Sequence, residues 1–222
     1  MPTFLTFGSS AYTNTIARIR AQANACPFTS VICVTETDLK AMSEFWNKHG
    51  AFVETHSRGY GYWIWKSYLT WKTLREMTEG DILVYADAGC TLQPRYFTSL
   101  FEIANKYDGI VAQVDYPEEH HCKMDLAIAL QATAHLQSRG FHATFFALKC
   151  TPANIALAKK WYDTMCEYHL IDDSPSVAPN APSYLEHRHD QSVWSLLRKM
   201  YGQQVVISRS TCPILDTRIR TC

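Results

Sequence analysis

The stretch GDILVYADAGC, residues 80–90, decides how the rest of the chain is read. Ile82, Leu83, Val84 and Tyr85 form a short strand-like run with no polar face, the pattern of a strand in the middle of a parallel sheet. The run stops at Asp87, and Ala88 and Gly89 follow at once. A carboxylate at the end of a buried strand has to be hydrated, paired or bound to a metal, because burying it alone is costly. The small residues beside it leave room for something that is not a side chain.

Outward from this stretch, strands and helices alternate. TFLTF (3–7) reads as a first strand ending at Gly8, followed by a helix through IARIRAQAN and a second strand, SVICVT. Thr37 is placed to cap a helix carrying Leu39, Met42, Phe45 and Trp46 on one face. A loop at 56–61 precedes a helix over WIWKSYLTWKTLREM, which Glu79-Gly80 closes. Beyond residue 90 come a helix around YFTSLFEIANKY, a strand IVAQV, a polar surface loop DYPEEHHCK and a helix MDLAIALQATAHL. Then follow a strand ATFFALK, a helix opened by Pro152, and IDDSPSVAPNAPSY, an ordered loop or a mobile flap. Asp190 is expected to cap the helix QSVWSLLRKMY, and VVIS is a last strand. The pattern is that of one α/β domain with a mainly parallel central sheet flanked by helices. In such sheets ligands sit beyond the carboxyl ends of the strands, where both Asp87 and Phe7-Gly8 lie.

Composition sets the outer limits. With 222 residues the chain can bury a sizeable core. The formal charge is zero, so there is no overall field to hold nucleic acid or an anionic membrane, and no basic patch stands out. No apolar run approaches the roughly 20 residues of a membrane span. MPTFLTFGSS lacks the basic start of a secretory signal. The eight cysteines are scattered, without a CxxC pair, and several fall inside apolar elements. Reduced thiols in a cytoplasmic protein are the expectation, with no structural zinc site. The end at RIRTC has no distinctive terminus, which is compatible with one module of a longer protein.

GxGxxG, GxxxxGK[ST] and GxSxG are all absent, which removes the usual dinucleotide, P-loop and serine-hydrolase readings. Taken alone, Asp87 is as good a turn or capping residue as a ligand. Four segments in order change the balance: RGYGYWIWK (58–66), GDILVYADAGC (80–90), ATFFALKCT (143–151) and EHRHDQSVWSLL (186–197). With the N-terminal FLTFG they resemble glycosyltransferases of the GT-A type, in particular small transferases of bacterial polysaccharide clusters and of some large DNA viruses. The resemblance implies a single GT-A (Rossmann-like) domain over 1–222, with 1–115 mainly the nucleotide-sugar donor half and 116–222 mainly the acceptor half. It also implies a metal-dependent transfer of sugar from a nucleotide sugar, most simply a UDP-sugar, to a glycan or other hydroxyl acceptor.

In that family a DxD element after a core strand holds a divalent cation on the donor diphosphate. Here it would be Asp87-Ala88-Gly89, so the second acid is missing and Mn2+ or Mg2+ would rely on Asp87, diphosphate oxygens and water. Arg58 and Lys66 are suited to phosphate, and Tyr62 and Trp65 to the wall of the donor pocket. Thr6, Phe7 and Gly8 occupy the family's nucleobase position. Asp190, with Gln191 beside it, matches the late acid near the anomeric carbon: a general base in an inverting reaction, or a stabiliser or nucleophile in a retaining one. His187 and His189 lie two apart, a candidate metal pair on extended chain; His189, with Lys123, Asp125 and Ala143, is assigned to the sugar and acceptor side. Glu118, Glu119, His120 and His121 read as a solvated face. Two other functions fit the same residues: a nucleotide- or sugar-binding protein with a degenerate DxD, and a sugar nucleotidyltransferase, for which FGSSAYTN is a poor Gly-rich basic loop.

Overall fold

A computed structural model describes residues 1–202, 204–207 and 212–215. Six strands form the central sheet: β1 (Pro2–Gly8), β2 (Ser30–Thr35), β3 (Ile82–Ala86), β5 (Gly109–Pro117), β6 (Arg139–Lys149) and β7 (Val205–Ile207). Their order is β2-β1-β3-β6-β5-β7. The pairings β1–β2, β1–β3 and β5–β7 are parallel, and β6 runs antiparallel to both its neighbours. The expected α/β architecture, a mostly parallel sheet flanked by helices, is the one observed. A small second sheet pairs β4 (Thr91–Leu92) with β8 (Ile214–Leu215).

β3 explains why the opening run has no polar face. Leu83 and Tyr85 enter one core, with Phe7, Trp65, Phe146 and Trp194; Ile82, Val84 and Ala86 enter a second, with Phe4, Ile19 and Phe97. Both faces of the strand are covered, so each of its residues is buried. One layer of helices is α1 (Thr13–Asn24) and α6 (Phe97–Lys106). The other holds α2 (Glu36–Ala41), α3 (Ser43–Thr55), α5 (Ile64–Glu76), α8 (Pro152–Met165) and α9 (His189–Tyr201). No helix among the described residues is long and apolar enough to cross a membrane.

Several local expectations give way. The cap after β2 is Thr35, not Thr37: its hydroxyl accepts from the Asp38 N–H while the Asp38 carboxylate accepts from the Thr35 N–H. The helix that follows breaks at Met42. The helix expected over MDLAIALQATAHL shrinks to α7 (Met124–Ala129) and a separate turn at Thr133–His135, with Gln131 at φ 57° between them. The polar segment 115–123 is no solvated face throughout. Glu118 is 4% exposed and accepts from Lys199 and Ser195, and His121, Cys122 and Lys123 are also buried. VVIS shortens to β7, and Ser208 lies outside the described residues. The segment 171–184 is an ordered loop: Lys123 Nζ donates to Asp172 and Ser174, the Asp125 N–H donates to Ser176, and the Asp125 carboxylate accepts from the Val177 and Ala178 N–H groups.

Candidate active site

The carboxyl ends of β1 and β3 and the start of antiparallel β6 meet at one edge of the sheet. Asp87 is tied there by its own N–H to the Thr144 carbonyl, 2.9 Å away. A cleft of about 690 Å3 opens at this edge. Its walls include Phe7 and Gly8 from β1, Arg58 to Tyr60 and Trp63, Trp65 and Lys66 at the start of α5, Asp87 to Gly89, Ala143 on β6, and 188–191 at the start of α9.

Lys66 organises the floor. It is 2% exposed, and its Nζ lies 2.9 Å from Asp190 Oδ2, 3.1 Å from Asp87 Oδ1 and 3.2 Å from the Ala143 carbonyl. Three acceptors match the three N–H bonds of an ammonium. Lys66 is therefore spent on the protein rather than directed at phosphate. The two carboxylates hold its pKa above the ordinary lysine value against a strong opposing effect of burial. Tyr85 donates to Asp87 Oδ1 at 2.6 Å, and the Asp87 side chain remains 32% exposed to the cleft.

Asp190 differs. Its side chain is buried, and burial pushes its pKa up to about 6, with Lys66 opposing the rise. It does not act as the expected N-cap; Arg188 holds that position without a side-chain bond, and the Asp190 carboxylate turns to Lys66. Gln191 beside it donates to the Tyr116 hydroxyl at 3.1 Å.

The entry to α5 is a wall built on strained backbone. From Gly59 to Trp63 every residue has positive φ: 60°, 55°, 82°, 52° and 60°. This single turn, α4 (Gly59–Tyr62), and the Trp63 that follows it are left-handed at three aromatic residues, each of which disfavours that region by roughly 1–2 kcal/mol. A Cβ on Gly61 would stand 2.7 Å from Val53 Cγ2, so only glycine fits the sharpest point. The turn brings Tyr60 and Trp65 onto Phe7, with Phe7–Trp65 ring centroids 4.1 Å apart. Flat aromatic faces at the end of β1 are a surface for a base or a sugar ring.

The other sequence-predicted residues divide. Arg58 lines the cleft, but its guanidinium is bonded to Asp173 at 2.9 Å and Glu186 at 3.1 Å. Thr6 lies in the core under the cleft, fully buried, and Tyr62 packs behind it on His189. Lys123 and Asp125 are not among the lining residues; they anchor the 171–184 loop. His187 uses both ring nitrogens on backbone, at the Leu170 carbonyl and the Lys123 N–H, and His189 Nδ1 lies 2.7 Å from the Ile171 carbonyl. They do not form a metal pair.

Tyr60, whose ring the sequence already offers as a flat face for a base or sugar, lines the cleft, and Trp63, Tyr116, His142, Thr144 and Arg188 line it beyond the residues singled out from sequence. The aromatic run around 60–65 and the EHRHDQ segment held the available signal. A left-handed turn at aromatic positions had none.

The residues can be tested against the divalent cation that the resemblance implies. No group of three or more His, Cys, Asp or Glu side chains that could hold a metal gathers among the described residues. Asp87, Lys66 and Asp190 nevertheless carry two negative charges and one positive, a net charge that attracts a cation at the open face of Asp87. The donor set thus fits an ion that takes one protein carboxylate and completes its shell from outside the protein.

No protein-family model matches the chain, and no curated protein matches it in sequence. Solved structures do match. Mouse xyloside xylosyltransferase 1, in its apo form, is 12% identical, with a TM-score of 0.50 over 93% of this chain and 85% of that one. The apo bifunctional glycosyltransferase WbbM is 10% identical, with a TM-score of 0.52 over 93% of this chain and 38% of that one. At these identities the likeness is one of fold, and it agrees with the GT-A resemblance carried by the four segments.

Proposed function

We propose that this protein transfers a sugar from a nucleotide sugar, most simply a UDP-sugar, to a hydroxyl of a glycan or glycoconjugate, with the donor held mainly by 1–115 and the acceptor mainly by 116–222. The observation that carries the proposal is the meeting of Asp87, Lys66 and Asp190 on the floor of one cleft at the carboxyl edge of the sheet. The glycosyltransferase fold of the structural neighbours supports glycosyl transfer as the class of reaction.

In this mechanism the rings of Phe7, Tyr60 and Trp65 receive the nucleobase. Asp87 is the protein's ligand to Mn2+ or Mg2+, which when bound would neutralise charge on the departing diphosphate. Lys66 fixes Asp87 and Asp190 relative to each other. Asp190, ionised at neutral pH yet more basic than an ordinary aspartate, faces the anomeric carbon. In a retaining course it stabilises positive charge on the sugar; in an inverting course it takes the acceptor proton. Gln191 and Tyr116 border the sugar on the acceptor side. Buried, unpaired thiols such as Cys33 and Cys122 support a reducing, cytoplasmic setting.

The test is a screen of nucleotide sugars by thermal shift and by hydrolysis, each with Mn2+ and with chelator. One donor is expected to stabilise the protein and to be hydrolysed when metal is present. Stabilisation by UDP with no turnover of any donor, with or without an added glycan acceptor, would count for the binding-protein reading.

A further inference from the structure

A second cavity, of about 300 Å3, adjoins the cleft. His142 and Thr144 line both spaces, so one stretch of β6 borders the two. That stretch is a bulge. From Val111 to Gln113 the β5 strand advances two residues, while β6 advances five, from Phe146 back to Phe141. Bulges beside active sites re-aim the chain, and this one does so in both directions. The Ala143 carbonyl accepts from Lys66 at 3.2 Å and the Thr144 carbonyl from the Asp87 N–H at 2.9 Å, on the cleft side. His142 and Thr144 also form part of the cavity wall.

Away from the bulge the wall is apolar. Ala112, Phe145, Ile207, Cys212 and Ile214 are buried and Leu215 is half-exposed; among the described residues Gln113 is the other polar member. The far side is anchored rather than draped. Ile207 pairs with Ala112 in the main sheet, and Ile214 with Leu92 in the small one. The Gln93 N–H donates to the Pro213 carbonyl at 2.7 Å, and the Gln93 side-chain amide to the Cys212 carbonyl at 3.2 Å.

Sheet order gives the cavity its place relative to a bound donor. Phe7 is near the end of β1 and Asp87 follows β3, while the cavity lies at β6, β5 and β7, on the other side of β3 from β1. A nucleotide sugar with its base at Phe7 and its diphosphate at Asp87 runs across the strand ends towards β6. What meets the sugar from the cavity's side is then the acceptor.

We propose that this cavity is an acceptor subsite that takes an apolar aglycone, an alkyl chain or aryl ring joined to the accepting sugar. The proposal rests on the nucleotide-sugar reading above. An apolar cavity of ~150 Å3 is enough to bind benzene, so this one has room for an aryl ring or a short stretch of chain, not a whole lipid tail. Burying two or three methylenes favours binding by roughly tenfold to a hundredfold.

The experiment has two arms on the full chain. In the first, isoleucine methyl groups labelled with 13C are followed by NMR with UDP and Mn2+ present, and Ile207→Val and Ile214→Val supply the assignments. Hexyl or phenyl glycosides of glucose, galactose and xylose should move both resonances, and the methyl glycosides should not. A response to hexyl alone assigns the subsite to a chain, and to phenyl alone to a ring. Ala112→Leu, which fills the cavity, should abolish the response, and Leu215→Ser should weaken it. In the second arm, the donor found by the nucleotide-sugar screen is used to compare transfer to the hexyl or phenyl glycoside with transfer to the methyl glycoside. Wild type should prefer the apolar acceptor by roughly tenfold to a hundredfold in kcat/KM, and in Ala112→Leu the ratio should fall towards one. A ratio within one variant is unaffected by partial loss of folded protein. Unmoved isoleucine resonances, equal movement with the methyl glycosides, or a preference that survives both substitutions would overturn the proposal. If wild type turned over no nucleotide sugar, the transferase reading would fail, and the first arm would still decide whether the cavity takes an apolar group.

Discussion

Lys66 Nζ lies 2.9 Å from Asp190 Oδ2, and both groups are almost wholly buried. The pair spans the cleft floor from the start of α5 to the start of α9, elements more than a hundred residues apart in sequence. Asp87 makes the second contact with the same ammonium, so the geometry of both acids is set by one side chain.

Removing Lys66 is therefore expected to harm more than binding. Lys66→Met leaves Asp190 buried without a counter-charge, a loss of about 3–5 kcal/mol in folding stability by analogy with other broken buried pairs. Lys66→Arg should also fail, because a planar fork does not reproduce three converging N–H bonds. Urea denaturation of both variants gives the answer; a stability loss below about 1 kcal/mol for Lys66→Met would show that the pair is not structural.

Asp190→Asn keeps the size and can still accept from Lys66. Donor binding should be retained while transfer falls by orders of magnitude. With a pKa of about 6, wild-type activity should decline as pH drops through that value, because the protonated carboxyl neither takes a proton nor stabilises positive charge. The residual activity of the Asn variant should lack this acid limb. Matching pH–rate profiles would remove Asp190 from the chemistry.

Asp87→Ala should abolish the metal-supported part of UDP binding. Calorimetric titration of UDP with Mn2+ and with chelator, on wild type and variant, measures it. Equal affinity under all four conditions would deny Asp87 its role as metal ligand.

The left-handed turn makes a prediction about glycines. Gly61→Ala, at φ 82° with Val53 Cγ2 2.7 Å from the new Cβ, combines backbone strain with a clash. Gly80→Ala, at φ 89° with nothing within 4 Å, carries strain alone. Gly80→Ala should cost about 1 kcal/mol and Gly61→Ala distinctly more, with loss of donor binding as the aromatic wall shifts. Denaturation midpoints of the two variants compare them directly.

His49 is fully buried between the Tyr162 and Tyr168 hydroxyls, each 2.8 Å away, and burial, helped by Lys48, lowers its pKa to about 4. An unfolded histidine takes up its proton near 6.5, so between that pH and about 4 the unfolded chain binds more protons than the folded one. The stability associated with His49 should be complete above pH 6.5, decline through this window and be gone below it. His187, lowered to about 3 by burial, adds a similar term that extends to lower pH. His49→Gln should flatten the stability-against-pH curve in urea titrations between pH 6.5 and 4.

The doubly buried β3 run, its acid, and the order of helices and strands were legible in the residues themselves, because periodicity and strand ends are local properties. What each side chain touches was not. Lys66 looked like a phosphate ligand and is a clamp between two acids; Asp190 looked like a cap and is a buried carboxylate; Lys123 and Asp125 looked like acceptor residues and anchor a loop. Segment 115–123 read as solvated because its charges are polar by type, while Lys199 and Ser195, some eighty residues later, supply the partners that allow Glu118 to be buried. The left-handed turn at 59–63 contradicts the preference of three of its five residues, and its backbone hydrogen bonds together with packing on Phe7, Val53 and His189 hold it. Local pattern fixes which residues can form a strand or a helix; the partner of a buried charge, or the contact that sustains a strained backbone, comes from distant chain and exists only once the fold has closed.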